Sequence, residues 1–263
     1  MSEHSKALTY TSYLALDEVL GAQRPRSDEH DELLFIVIHQ VYELWFKQLL
    51  HELAYLQRRL EAGEAPRALA AVRRVLTILK TIVAQIDVLE TMTPSQFASF
   101  RTRLDSASGF QSGQFRELEA VLGRRDRAML AAYEVGSDAY ERIAAAMARR
   151  SLFDSFVRYL AGAGLDVPAA ALERDVTAPP APSPGVQRAV LEAYRADGEA
   201  AQVAERLVDL DEGTQEWRYR HVKMVERTIG DKAGTGGSSG AKYLRETLFQ
   251  PMFPDLWAVR SEL

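Results

Sequence analysis

Leu33-Leu34-Phe35-Ile36-Val37-Ile38-His39-Gln40-Val41-Tyr42-Glu43-Leu44-Trp45-Phe46 opens a segment whose helical pattern runs on to about Leu60. Apolar residues are so dense along it that only the far half keeps a polar face. A helix apolar on most sides must be covered on most sides, which places it in the middle of a helical bundle. Ser27-Asp28-Glu29-His30 reads as its start, with acidic side chains at the positive end of the helix dipole. The purely apolar run Leu33 to Ile38 is interrupted at His39, Gln40 and Glu43, far short of the roughly 20 apolar residues of a membrane span.

The neighbouring segments repeat the helical period. Arg67 to Thr91 carries apolar residues at Leu69, Val72, Val75, Leu76, Leu79, Ile82, Ile86 and Leu89. Thr93-Pro94-Ser95 opens another helix, with Thr93 as N-cap and Pro94 in the first turn. Gly109 and Gly113 punctuate, and a helix then runs to about Leu122. Shorter pieces follow from Arg127 to Ala163. Residues 178–185, with four prolines in eight residues, form a surface loop. Val186 to Leu210 and Thr214 to Ile229 read as two helices, and Gly240 to Leu248 as a last short one. Alternating β-branched runs are absent, so no sheet is expected, and no internal repeat is found. The expected fold is all-α, one helical bundle over residues 1–263, because the segments flanking the proline-rich loop carry the two histidines discussed below.

Composition sets outer bounds. A chain of 263 residues, 47% hydrophobic and 26% charged, can bury a substantial core. A net charge of −5 argues against general nucleic-acid binding. The absence of cysteine removes disulfides, thiolate haem ligands and cysteine-based zinc or iron–sulfur sites, and it fits a reducing compartment. Met1 to Ala7 is polar, with no apolar stretch resembling a secretion signal. These features predict a soluble cytoplasmic protein with no membrane partner.

Without cysteine, redox or oxygen chemistry would require a bound cofactor, and histidine is the natural protein ligand for one. His4 lies in the tail, His30 at a helix start and His51 toward the exposed half of its helix, which leaves His39 and His221. Each alone reads first as a hydrogen-bonded core histidine and second as a ligand. His221 sits among Arg218, Arg220, Lys223 and Arg227. Such cations suit haem propionates, although Glu216 and Glu226 among them also fit a solvated face. The same helix ends in a glycine-dense loop, Gly234-Thr235-Gly236-Gly237-Ser238-Ser239-Gly240, whose backbone can approach a ligand closely. It lacks the Gly-Lys-Ser/Thr ending of a P-loop, the third glycine of a dinucleotide fingerprint and a preceding strand. It is either a flexible linker or a lid that offers Thr235 to a substrate. Phe97 and Arg101 share a helix face ahead of Ser108-Gly109-Phe110-Gln111-Ser112. An arginine beside aromatic rings suits an aromatic carboxylate; a salt-bridged surface arginine is the competing reading.

Taken together, these segments resemble the tryptophan 2,3-dioxygenase family. The resemblance is carried by Leu8-Thr9-Tyr10 with Tyr13-Leu14, His30-Asp31-Glu32-Leu33-Leu34-Phe35-Ile36, His39-Gln40 and Glu43-Leu44-Trp45. It continues through Leu89-Glu90-Thr91, Thr93-Pro94-Ser95, Phe100-Arg101 and Ser108-Gly109-Phe110-Gln111-Ser112. It closes with Trp217-Arg218, Arg220-His221, Ile229-Gly230, Gly234 to Gly240, Phe253-Pro254 and Val259-Arg260. In that family, the resemblance implies, His221 is the proximal ligand of haem b and His39 hydrogen-bonds the indole N–H. Arg101 clamps the substrate carboxylate, Thr235 contacts its amino-acid end and Phe35 is a pocket aromatic. Ser108, Gly109 and Trp217 fall at the cofactor. Tyr10, Tyr13 and Leu14 match a segment that reaches a neighbouring subunit's pocket, which implies a homotetramer with residues 1–26 crossing between subunits. The implied reaction is haem-dependent addition of O2 to L-tryptophan, giving N-formylkynurenine.

Several positions depart from the family pattern. Ile38 stands where a glutamine is usual, Val41-Tyr42 replaces a Thr-Ser pair, Phe97 replaces a tyrosine, and Asp105-Ser106-Ala107 replaces a tighter glycine-containing approach. Tyr42, three residues after His39, shares its helix face and is expected at the substrate. Two other readings follow: monooxygenation of tryptophan or β-methyltryptophan to a 2-oxindole, and a non-catalytic haem or O2 sensor.

Overall fold

The apolar segment forms one unbroken helix, and the other elements are arranged around it. The computed structural model describes residues 7–232, 234 and 241–263, and among them every regular element is helical, with no strand. In chain order these are α1 (Tyr10–Tyr13), α2 (Leu16–Leu20), α3 (His30–Glu61), α4 (Ala65–Leu89), α5 (Pro94–Arg101) and α6 (Gly113–Leu122). There follow α7 (Asp138–Met147), α8 (Leu152–Gly162), α9 (Ala169–Leu172), α10 (Pro184–Ala196), α11 (Glu199–Ile229), α12 (Ala241–Glu246) and α13 (Pro254–Ala258). The fold is all-α, as the periodicity predicts.

α3 has 32 residues and is about 48 Å long at 1.5 Å per residue. Phe46, Leu49, Leu53, Leu56 and Leu60, spaced three and four apart, turn one stripe of it into the core. Burying each leucine contributes roughly 2 kcal/mol. That stripe packs against α4, α6 and α8, and α11 packs on α4. By length and apolar content α3 also meets the requirement for a membrane span, because its hydrophobic pattern resumes after His39. The interruption at His39 therefore excludes less than the sequence reading supposed. A smaller apolar cluster of Ile38, Leu89, Met92 and Phe100 lies beside Phe35 and Phe97.

The main difference from expectation lies in the last long helices. The sequence reading breaks them at Asp211-Glu212-Gly213, yet α11 runs straight through, and the break falls at Asp197 and Gly198. Asp197 ends α10 in the left-handed region at φ 49°, a conformation aspartate tolerates, and Gly198 caps α11. Asp211 is buried within the helix and accepts bonds from the Phe253 N–H at 2.9 Å and Trp257 Nε1–H at 3.0 Å. Gly213 serves close approach: a Cβ there would meet Leu79 Cδ2 at 2.7 Å. The proline-rich stretch is a loop only to Ser183, since Pro184 begins α10.

Candidate active site

α3, α4, α5, α6 and α11 surround one cavity. Its walls hold Phe35, His39, Tyr42 and Phe46 of α3, Phe97 and Arg101 of α5, Ser108 and Gly109, and Trp217, His221 and Met224 of α11. Helical spacing explains the grouping, because residues three and four apart share a face. Thr93 caps α5 as expected: its hydroxyl accepts from the Gln96 N–H while the Gln96 side chain bonds back to the Thr93 N–H. This sets the start of the short helix whose far end carries Arg101.

His39 is fixed by its own helix. Its Nδ1 lies 2.7 Å from the Phe35 carbonyl oxygen. A carbonyl only accepts, so Nδ1 carries the proton and Nε2 is left as an acceptor. Burial holds the imidazole below its ordinary pKa, against smaller opposing effects of the Phe35 carbonyl and Glu43. Phe35 packs on His39 with ring centroids 4.1 Å apart, and Phe97 and Phe100 extend the aromatic wall.

His221 occupies a different wall. Its ring stacks on Trp217 at 4.9 Å, and Trp217 contacts Phe115 at 4.7 Å. Burial, with smaller repulsion from His39 and Arg116, pushes the imidazole down to about 4. The neutral ring is the form that coordinates a metal. Among the described residues no three His, Cys, Asp or Glu side chains stand together as a bare-ion site. A single neutral imidazole facing an apolar cavity suits an iron whose other ligands come from a porphyrin. Trp217 Nε1–H is buried with no acceptor among the described residues. Such a donor costs about 1–3 kcal/mol unless a ligand satisfies it. These residues fit haem.

The shift at His221 carries a stability consequence. The unfolded residue gains a proton as pH falls through about 6.5, whereas the folded one waits until about 4. Between these values the unfolded state binds more protons, so stability is complete above 6.5 and declines as pH falls. The ceiling is about 3 kcal/mol at 1.36 kcal/mol per pKa unit. In the haem-free protein the urea midpoint is expected to drop between pH 7 and 4.5, and to drop less in His221→Gln. Equal drops in both proteins would remove His221 from the account.

Tyr42 lines the cavity, as its position after His39 predicts, but its hydroxyl points elsewhere. The O–H donates to the Ile82 carbonyl of α4 at 3.1 Å, so the ring forms part of the wall and offers no free polar group. Burial raises the phenol pKa well above its ordinary value. Ile38 is a core residue beside Leu89 and Phe100. Asp105 adopts φ 50°, a conformation glycine enters more easily, so the glycine-free turn keeps a left-handed residue.

Other expectations are corrected or left outside. Arg220 is held by Asp87 at 2.6 Å and Glu90 at 3.3 Å, Arg227 by Glu90 and Lys223 by Glu226. These three are engaged by Asp87, Glu90 and Glu226 and do not line the cavity, which matches the solvated-face reading left open beside the propionate one. Arg218 alone of the four faces the cavity. Tyr10, Tyr13 and Leu14 do not line this chain's cavity and are exposed. Thr235 lies outside the described residues. The sequence reading missed Arg116 and Glu119, which line the cavity from α6. Their signal was two opposite charges three apart on a helix that otherwise turns Leu118, Val121 and Leu122 inward.

The class so defined is an all-helical protein with an aromatic-walled pocket, one partly buried imidazole suited to a haem iron and a second presented to whatever lies beside it. A family profile described as tryptophan 2,3-dioxygenase matches residues 1–143 and 191–263. The chain is 70% identical to a tryptophan 2,3-dioxygenase of Anaeromyxobacter sp. (strain K), over 100% of this chain and 98% of the relative. It is 58% identical to that of Herpetosiphon aurantiacus, over 98% of this chain and 100% of the relative. The corresponding protein of Caulobacter vibrioides is 46% identical, over 97% of this chain and 98% of the relative. The chain belongs to the tryptophan 2,3-dioxygenase family.

Proposed function

We propose that this protein is a haem-dependent dioxygenase that converts L-tryptophan and O2 to N-formylkynurenine. The observation that carries the reading is the pair of neutral imidazoles in one cavity, His221 with no hydrogen bond to its ring among the described residues and His39 with Nε2 open as an acceptor. Haem held by His221 would supply O2 activation, with Trp217, Ser108 and Gly109 against the cofactor. Arg101 would bind the substrate carboxylate bidentately, and Thr235 would contact the amino-acid end. His39 Nε2 accepts the indole N–H and fixes which edge of the indole meets the oxygen. Its lowered basicity suits orientation better than proton removal. Phe35, Phe97 and Tyr42 pack against the ring and exclude water. Breaking the indole C2–C3 bond leaves one oxygen atom on each carbon, so both atoms of O2 stay in the product.

The relatives' shared name favours this chemistry over oxindole formation or a sensor. The test is mass analysis of product from haem-loaded protein, L-tryptophan and labelled O2. Two labelled oxygens are expected. A gain of one would support the oxindole route, and no tryptophan-dependent uptake of O2 would support the sensor.

The proposal includes one helical domain over residues 1–263, a cytoplasmic setting without membrane or nucleic-acid partners, and a homotetramer. Exposed apolar side chains support the assembly: Tyr10 is 75% and Tyr13 71% exposed, and Leu33 and Leu44 stand out from α3. Light scattering is expected to give the mass of four chains. A monomer at micromolar concentration would rule that part out.

A further inference from the structure

Glu119 lies beside the cavity with its charge fully engaged, and none of the steps above uses it. It is 3% exposed on α6. Its Oε2 accepts from Arg116 at 2.6 Å, and its Oε1 accepts from Arg124 at 3.0 Å and Arg218 at 3.3 Å. Arg218 also donates to the carbonyls of Thr247 and Gln250. Arg116 and Arg218 are themselves 6% and 5% exposed. One carboxylate therefore faces three guanidiniums, and on the cavity wall itself Arg101, Arg116 and Arg218 stand against Glu43 and Glu119, an excess of one positive charge among the described residues. Burial opposes ionisation of Glu119, but Arg116, Arg124 and Arg218 outweigh it and hold the carboxyl below its ordinary pKa. Arginine does not lose its proton near neutral pH, so the excess is permanent.

The location of this charge gives it a consequence. The Arg116 guanidinium lies over Phe110 at 4.9 Å and Phe115 at 5.7 Å, Phe115 contacts Trp217, and Trp217 stacks on His221. The cations thus stand on the His221 side of the cavity, in surroundings that screen charge poorly. A fixed positive charge in such surroundings disfavours the more positive of two oxidation states of any nearby metal. We propose that the charge of Arg116 and Arg218, only partly offset by Glu119, biases a haem bound at the His221 wall toward the ferrous form, the form that takes O2. The inference rests on the assignment of His221 as iron ligand.

The test is the ferric–ferrous midpoint potential of the haem-loaded full chain. Arg116→Gln is expected to lower the ferrous-to-ferric ratio at a fixed solution potential at least tenfold, which is 59 mV for one electron. Arg116→Lys, which keeps the charge, is expected to stay near wild type, and Glu119→Gln to move in the opposite direction. A folded, haem-loaded Arg116→Gln protein at the wild-type potential overturns the inference. So does a lysine variant displaced as far as the glutamine one, because packing rather than charge would then be responsible. Should Arg116→Gln not fold, Arg124→Gln at the more open edge of the cluster is expected to shift the same way by a smaller step, and no shift there overturns the inference. Wild-type protein that retains no haem would instead sink the assignment of His221.

Discussion

Alanine at position 221 is expected to yield a folded helical protein that retains no haem and oxidises no tryptophan. Among the described residues the His221 ring makes no hydrogen bond, and its ring contact is the stack on Trp217 at 4.9 Å. Removing it from a site that is already hollow therefore costs the apo fold little, roughly 1 kcal/mol for the lost aromatic pair. The proposed haem, by contrast, would lose the imidazole assigned to its iron, and the expected catalytic loss is complete. The measurement is Soret absorbance per chain after loading with hemin, with helical content followed by circular dichroism. His39→Ala provides the contrast, since it is expected to keep the cofactor and lose substrate orientation. Full Soret intensity in His221→Ala would overturn the site assignment.

Arg101→Met is expected to lower kcat/KM for L-tryptophan by roughly ten- to hundredfold, which corresponds to about 1.5–3 kcal/mol for hydrogen bonds to a charged group. Methionine keeps much of the stem and removes the guanidinium at the end of α5. The more telling readout is selectivity. Tryptamine is tryptophan without its carboxylate, so it has nothing for Arg101 to clamp. Wild-type protein is expected to prefer L-tryptophan strongly, and the variant to show nearly equal rates with both. A variant that kept the preference would place carboxylate recognition on other residues.

Much of the site was legible in the linear chain because helical spacing is simple arithmetic. Phe35, His39 and Tyr42 follow a spacing of four and three, and Phe97 and Arg101 one of four, so each set had to share a face. All of them line the cavity. Charge was harder to read. Arg220, Lys223 and Arg227 surround His221 in sequence, but the helix turns them toward Asp87, Glu90 and Glu226. Among the described residues the cations that reach the cavity are Arg101, Arg116 and Arg218, from three separate helices. Asp211 and Gly213 misled in the same way. A buried acid and a glycine inside a helix look like a break until Phe253, Trp257 and Leu79 are seen packed against them.

From the amino acids in order one could obtain the helices, their apolar stripes, the capped start of α5 and the two histidines that face the cavity. These depend on residues within a few positions of each other, where backbone geometry leaves little choice. Which charges cancel, and that Glu119 gathers three arginines beside the cavity, emerged only with the packed chain. Coulombic and desolvation energies depend on distance through space, and the groups concerned lie as far apart along the chain as residues 119 and 218.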